Sequence, residues 1–459
     1  MKKLIIACCS LLLSFATQAQ IVVTPDVNDA IQAALSNDVT LKNNRLELEK
    51  EKLERKGVLN KYIPTVSTQA IYGYLDNKLT IDFPATTLPY INQQIFQDEK
   101  AMNINGNIFH AGATAKAVLF SGGQILNGAK ALKYKEEGNT LMMQKDEDAL
   151  IKSVLESFDQ LALLKAAEDL LDQSAARLQK ENIRVTKAVQ NGLAIPYDRD
   201  KIELANLELQ SKQKDIGHKK QLILLKLAHD TGLPVDTLER MQHYLEPILL
   251  TDEMDIENRV ELQALEKYKL ANKFLLKKEY GSYLPNIGAF ASYSYSSLFN
   301  THLNTYINAL NRNVDLKMNS ATIAPNFMVG VAVKWDIFNG FERKHNVHKA
   351  KLTAEQLDNK IADTKSLLEL QLKKNRFDYD NQIDQLKIAQ QKATIATHNL
   401  TSAEKQYKEG LISVTERLTA ETDVYQQRLA LVESTMNQRK AAIETYQSSV
   451  TLKTLIIVK

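Results

Sequence analysis

His345 and His348 are the closest the sequence comes to a chemical pair. Three residues apart on a helix, they would share one face, as two metal ligands must. They stand near the start of a Lys-rich, polar helical stretch, where two solvated imidazoles are the plainer reading, and no metal is expected. There is no Gly-x-Ser-x-Gly and no His-Glu-x-x-His. Gly122-Gly123 ends a strand pattern without the Lys-Ser/Thr that a phosphate loop needs. Cys8 and Cys9 fall in a segment that reads as an export signal: Lys2-Lys3, an apolar run over 4–15, then Thr17-Gln18-Ala19. Cleavage after Ala19 makes 1–19 the signal peptide and leaves a chain with no disulfide or thiol chemistry. A lipoprotein signal ending at Cys8 would have too short an apolar segment. No catalytic residue and no cofactor are expected, and the chain does not read as an enzyme.

What remains is charge and periodicity. The 459 residues carry 58 Lys+Arg against 55 Asp+Glu, a balance with no general attraction to nucleic acid. No later segment approaches 18 consecutive apolar residues, so an exported chain of this kind crosses a membrane, if at all, with strands. Residues 339–459 contain no proline, and their only glycines are Gly340 and Gly410. Apolar residues recur there in steps of three, four or seven. Val347, Ala350, Ala354, Leu357, Ile361, Leu368, Leu372 and Tyr379 are among those that precede Gly410; Val414, Leu418, Tyr425, Leu429, Val432, Met436 and Ile443 are among those that follow it. That is the spacing of a coiled-coil seam. It predicts two antiparallel helices meeting near Gly410, the first roughly 65 residues or about 100 Å long at 1.5 Å per residue.

The pattern occurs twice. Residues 20–229 read as a first structural repeat: a helix over 25–60, strands at about 65–74 and 111–120, and a long helical hairpin with its tip near 192. Residues 230–255, with Gly232, Pro234 and Pro247, form an irregular connector. Residues 256–459 repeat the order, with strands at about 286–295 and 326–338 and a tip near 410. Tyr62-Ile63-Pro64 returns as Tyr283-Leu284-Pro285, 221 residues on. Phe120-Ser121-Gly122 returns as Phe338-Asn339-Gly340, and Gly192-Leu193 as Gly410-Leu411, both 218 residues on. Pro64 and Pro285 thus mark strand entries, and Gly122 and Gly340 strand exits.

Along the strands Val66, Thr68, Ala70, Tyr72 and Tyr74 share one face, as do Phe327, Val329, Val331, Val333, Trp335 and Ile337. A segment of about ten residues with one apolar face is what a tilted membrane strand requires. Val329, Val331, Val333 and Ile337 are expected to face lipid, and Lys334 and Asp336 a lumen or interface. Four such strands cannot close on themselves, and open edges in hydrocarbon cost several kcal/mol per unsatisfied group. A shared barrel follows, of eight strands from two copies or twelve from three. An ordinary soluble sheet packed on helices is the competing reading. It leaves the very long helices, the export signal and two long polar loops unexplained.

The paired strand entries, strand exits and helix turns, in this order, resemble the TolC-like outer membrane efflux family over essentially the whole mature chain. The resemblance implies an α+β membrane protein. It would be a homotrimer whose twelve-strand outer-membrane β-barrel, four strands per chain, is continued by an α-helical coiled-coil tunnel in the periplasm. Residues 230–255 and the C-terminal residues would build its equatorial belt. The implied function is the outer membrane channel subunit of a tripartite efflux or type I secretion system in a Gram-negative cell. It would passively conduct substrates delivered by an inner-membrane transporter and a periplasmic adaptor protein. Gly192, Leu193, Gly410 and Leu411 would be the adaptor-docking tips. Tyr407, Asp198 and Glu416 would be the gate, with the Tyr407 hydroxyl donating to Asp198 and Glu416 lining the constriction. Two residues depart from the family pattern. Ile412 stands where the best-known member has an arginine latch, and Thr419 where it has a second acid, so the resemblance implies a single acidic ring. Helix capping alone would also account for Pro196, Asp198, Ser413 and Glu416. A non-conducting periplasmic or surface coiled-coil scaffold or adhesin is the functional alternative. An adaptor with a single helical hairpin does not explain the duplicated strand pairs.

Overall fold

The alternating segments become one antiparallel sheet, and the seams become helices. The computed structural model describes residues 21–82, 86–88, 90, 93–96, 99–192, 194–250, 254–307 and 312–458. The signal segment 1–19, with Cys8 and Cys9, and Leu193 lie outside the described residues. The first part of the chain gives β1 (Ile21–Val23), α1 (Pro25–Asn37), α2 (Val39–Leu59), β2 (Thr65–Asp82), β3 (Thr86–Leu88), β4 (Gln93–Phe96), β5 (Glu99–Ser121), α3 (Gln124–Gln190) and α4 (Pro196–Thr231). Then follow α5 (Val235–Arg240), α6 (Val260–Gly281), β6 (Asn286–Ile307), β7 (Arg312–Lys334), α7 (Glu342–Lys408), α8 (Val414–Gln447) and β8 (Ile456–Val458). The corresponding helices α3 and α7 are each 67 residues long.

One compact unit comprises Lys52–Lys133 and Leu270–Ala354. Its sheet has the order β2-β5-β6-β7, antiparallel throughout. The strands run 18 to 23 residues, about twice the ten expected. Apolar alternation is clearest in the part of each strand nearest its helix, and the hydrogen-bonded ladder continues through more polar sequence, where Val314, Leu316 and Met318 of β7 still alternate. At the other end β7 is shorter than expected. It stops at Lys334, because its partner β6 begins at Asn286, opposite Lys334, and no other strand flanks it among the described residues. Trp335, Asp336, Ile337 and Phe338 therefore lie beyond the ladder, although they alternate. Trp335 Nε1 donates instead to the carbonyl of Tyr283 at 3.1 Å.

Register decides which side chains share a face. Tyr72 lies opposite Phe109, Tyr293 opposite Phe327, Ala291 opposite Val329 and Ile287 opposite Val333. This apolar face is open: Val329, Val331 and Val333 are 68%, 63% and 64% exposed. The other face carries Thr65, Lys116, Phe290 and Gly330 in one row, with Ser292 and Ser294 beyond. Lys334, four residues from Gly330, belongs to this second face. At the exit of β5, Gly122 has φ +62°, and a Cβ there would lie 2.1 Å from the carbonyl oxygen of Gly281. Gly340 has nearly the same φ, +66°, with nothing within 4 Å.

The other unit comprises the described residues up to Glu51, with Tyr134–Lys269 and Glu355–Lys459. Its core packs Ile31 and Ala34 of α1 with Val154, Leu155 and Phe158 of α3, Leu224 and Leu227 of α4, and Ile443 of α8. The expected helix over 25–60 is interrupted at Asp38. The Asp38 carboxylate accepts from the backbone of Leu41 at 2.7 Å and caps a second helix. Beyond α5 the connector is extended, and side chains supply the bonds that a strand partner would. The buried Gln438 amide brackets Ile248, donating to its carbonyl at 2.6 Å and accepting from its N–H at 3.0 Å. The Tyr446 hydroxyl donates to Leu249 O at 2.9 Å. Arg439 donates to both oxygens of Asp159, at 3.0 and 3.1 Å, and to Glu246 O at 2.7 Å. Both residues of that pair are buried. β1 and β8 pair in parallel, tying the two ends of the described chain together.

Asp148 on α3 receives the C-terminal segment, accepting from the backbone of Lys453 at 3.3 Å. Burial pushes its carboxyl up to about 6 from 3.8, against the pull of the backbone N–H groups of Lys453 and Leu452 and of Arg259. A folded value above the unfolded one means stability is greatest below about pH 4 and falls as pH rises towards 6. Asp148→Asn keeps an acceptor and removes the charge. Its melting temperature should match the parent near pH 4 and exceed it near pH 7. Parallel melting curves at both pH values would show that burial of this carboxylate carries no penalty.

Candidate functional site at the helix turns

Each long hairpin reverses at a glycine with φ +73°, Gly192 after α3 and Gly410 after α7. The second turn closes as a Schellman motif: Gly410 N bonds Tyr407 O at 3.1 Å and Leu411 N bonds Gln406 O at 2.9 Å. A left-handed residue ends one helix, and a new cap starts the next. For α8 that cap is a complete capping box. Ser413 Oγ accepts from Glu416 N at 3.2 Å, and Glu416 Oε2 accepts from Ser413 N and Oγ, both at 2.8 Å. These bonds hold the exposed Glu416 carboxyl below the usual carboxylate range. For α4, Ile195 is the N-cap without a side-chain bond, Pro196 opens the helix, and Asp198 sits in its acidic first turn. Leu411 is 73% exposed at the turn.

Beneath the turns the four hairpin helices pack on Leu178, Val185, Ile202 and Val414, with Leu418 and Tyr407 against them. Tyr407 is half-buried, with the Arg184 guanidinium 5.7 Å from its ring centroid. Burial, then the charge of Glu181, then that of Asp198 push its phenol up, while Arg184 and Arg417 oppose. Tyr407 and Asp198 are thus brought within electrostatic reach of each other. The expected hydrogen bond between them is not made within the chain among the described residues. Glu416, the third expected gate residue, is exposed and bonded to its own cap.

The sequence reading missed the ionic contact next to these residues. Glu421 is 4% exposed, and its carboxylate accepts from Arg177 Nε at 2.7 Å and Ser174 Oγ at 3.1 Å. Arg417, equally buried, lies 3.7 Å from the other carboxylate oxygen. The signal was present as a gap: the apolar seam steps by seven from Leu418 to Tyr425, skipping 421. His345 and His348 are exposed, and no group of His, Cys, Asp and Glu among the described residues could hold a metal ion. No described helix is long and apolar enough to cross a membrane.

Removing one partner of a buried pair leaves the other charge uncompensated, at about 3–5 kcal/mol. Glu421→Leu should therefore lower the melting temperature strongly, and Arg417→Met with Glu421→Leu should recover most of the loss. A double variant as unstable as the single one would mean that the pair does not balance itself.

Residues 256–449 match the family described as outer membrane efflux protein. No curated protein matches the chain significantly. Among solved structures, CusC is similar over 95% of this chain and 95% of its own, with TM-score 0.72 and 16% identity. The outer membrane channel CmeC of Campylobacter jejuni is similar over 95% of this chain and 90% of its own, with TM-score 0.68 and 15% identity. The outer membrane channel MtrE of Neisseria gonorrhoeae, in its open state, is similar over 93% of this chain and 89% of its own, with TM-score 0.65 and 13% identity. At these identities the likeness to solved structures is one of fold. The family match covers the second repeat, and the first carries the same elements 218 to 221 residues earlier. The second repeat thus matches the outer membrane efflux protein family, and the chain as a whole has the fold of these outer membrane channels.

Proposed function

We propose that three copies of this chain share one twelve-strand barrel in the outer membrane and one helical tunnel in the periplasm, and together conduct substrates out of the cell. In this reading the channel is passive. An inner-membrane transporter supplies the substrate, and a periplasmic adaptor docks at the turns around Gly192-Leu193 and Gly410-Leu411, as in a tripartite efflux or type I secretion system. The observation that carries it is the open sheet of β2, β5, β6 and β7, apolar on one face and, among the described residues, unpaired along both edges. Eight strands would leave little lumen, and twelve suit a conduit. Tyr407, Asp198 and Glu416 are proposed as the gate. Their partners would come from neighbouring copies, since within the chain Tyr407 and Asp198 share no hydrogen bond among the described residues. Fractionation tests the reading directly: it expects a heat-modifiable trimer in the outer membrane that conducts ions in a planar bilayer. A soluble periplasmic monomer would instead favour the scaffold alternative.

Two further outcomes follow from the same assignment. An arginine on the lipid face near the midplane costs roughly 2–4 kcal/mol, and one on the lumen face much less. Val331→Arg should therefore impair assembly far more than Ala332→Arg, and equal yields of trimer would refute the facing. At the gate, Tyr407→Phe with Asp198→Ala should raise resting conductance. Glu416→Gln preserves the capping box and removes the charge, so it should weaken divalent-cation block and cation selectivity. An unchanged conductance in the double variant, or unchanged block in Glu416→Gln, would remove the corresponding role.

A further inference from the structure

The second face of the sheet bounds a cavity of about 910 Å³ within the strand unit. Its wall is apolar along Ile125, Leu132 and Leu275 of the helices and Phe290 of β6. Into the same space come four lysines, Lys61, Lys116, Lys278 and Lys334, and no aspartate or glutamate lines it. Two of the four are a repeated feature: Lys116 and Lys334 each stand six residues before the exit glycine, Gly122 and Gly340. No carboxylate pairs with Lys116 among the described residues. Lys334 has Asp336 at 3.6 Å, and that carboxylate is also 4.0 Å from Arg343. Lys278 has Glu279 at 3.2 Å, so the positive excess that remains beside the apolar wall centres on Lys61 and Lys116, with Lys334 sharing its carboxylate. Such a surface disfavours cations, which lose water and gain no partner. It favours a ligand with an apolar body and one anionic head.

We propose that this cavity is a binding site for amphipathic organic anions, with a carboxylate, sulfate or sulfonate held by Lys116 and Lys334 and the apolar body against Ile125, Leu275 and Phe290. As a statement of substrate class it rests on the channel reading, because it takes the second face of the sheet to be the lumen. On that reading, equivalent positions in the two repeats fall at one level of the barrel, so three copies present six lysines as one ring. The anion would bind there in transit, before release outside the cell.

Calorimetric titration of the full chain in lipid nanodiscs tests this, with naphthalene-2-sulfonate as probe, 2-naphthyltrimethylammonium as its cationic match, and empty nanodiscs subtracted. The parent should bind the sulfonate saturably and the cation far more weakly. Lys116→Gln with Lys334→Gln should weaken sulfonate binding roughly tenfold, the sum of two partly exposed ion pairs. Lys116→Arg with Lys334→Arg should retain it. Equal affinity for the two probes, an unaffected glutamine variant, or an arginine variant as weak as the glutamine one would each overturn the assignment. Conductance in a planar bilayer is read separately. A chain that conducts but binds no sulfonate loses this inference alone, whereas one that binds but never conducts loses the channel reading and keeps the site.

Discussion

The outward backbone groups of β2 and β7 set the terms for the rest of the chain. Ladder bonds run from β2 through β5 and β6 to β7, and the far sides of the two edge strands have no partner among the described residues. Water would satisfy those groups, but the apolar face beside them draws the sheet away from water. In hydrocarbon each unpaired group costs several kcal/mol. One chain cannot meet both demands, and identical neighbours can. The early end of β7 has the same origin. In the first repeat β5 continues to Ser121 because β6 lies beside it to Asn286, whereas β7 loses its only partner among the described residues at Lys334. On the trimeric reading, residues 335–338 keep their alternation for a strand that another copy supplies.

The helical unit has a different problem, which is register. A purely apolar seam can slip by a heptad at modest cost, because one Leu or Ala replaces another. Here the seam is punctuated by polar residues, each matched to particular partners. Asn375 donates to Ser448 Oγ at 2.6 Å and to Glu444 O at 3.0 Å. Glu421 takes Arg177 and Ser174, and Arg439 takes Asp159 and Glu246 O. A slip by one turn would bury each of them without its partner, a far larger penalty than the mismatch of alkyl groups. These residues add little net stability, but they leave one alignment of α3, α7 and α8 affordable.

Much of this was legible beforehand because periodicity reports faces. The change from a period of three and four to a period of two located the inner end of each strand, and the recurrence of Tyr-x-Pro and Phe-x-Gly exposed the duplication. The outer halves of the strands were less legible: in β5 Met102, Ile104 and Ile108 do alternate with Asn103, Asn105 and Asn107, but so many asparagines favour a loop over a strand. The buried polar residues were legible only as absences. Three seven-residue steps, Leu372 to Tyr379, Leu418 to Tyr425 and Met436 to Ile443, hide Asn375, Glu421 and Arg439, each three residues past the first. The bonds that tie the connector at Ile248 to Gln438 could not be read at all, since 190 residues separate them. At the turns, Glu416 could be read both as a cap and as a gate acid, and its bonds to Ser413 establish the first without excluding the second.

The two exit glycines carry a consequence for how a duplicated gene drifts. Both began under one constraint and now have different ones. Gly122 is bound twice, by its dihedral angle and by the backbone of Gly281, which leaves no room for a side chain. Gly340 is bound within the chain by its dihedral alone. Asparagine, which visits the left-handed region at low cost, is an accessible substitute at 340, whereas at 122 its Cβ would collide with the Gly281 carbonyl. Divergence should therefore accumulate unequally, with the first repeat's strand exit frozen as glycine and the second free to explore. If a population sample ever shows the opposite bias, the free space around Gly340 must be filled in the assembled protein, and the missing neighbour will have left its outline in the pattern of tolerated mutations.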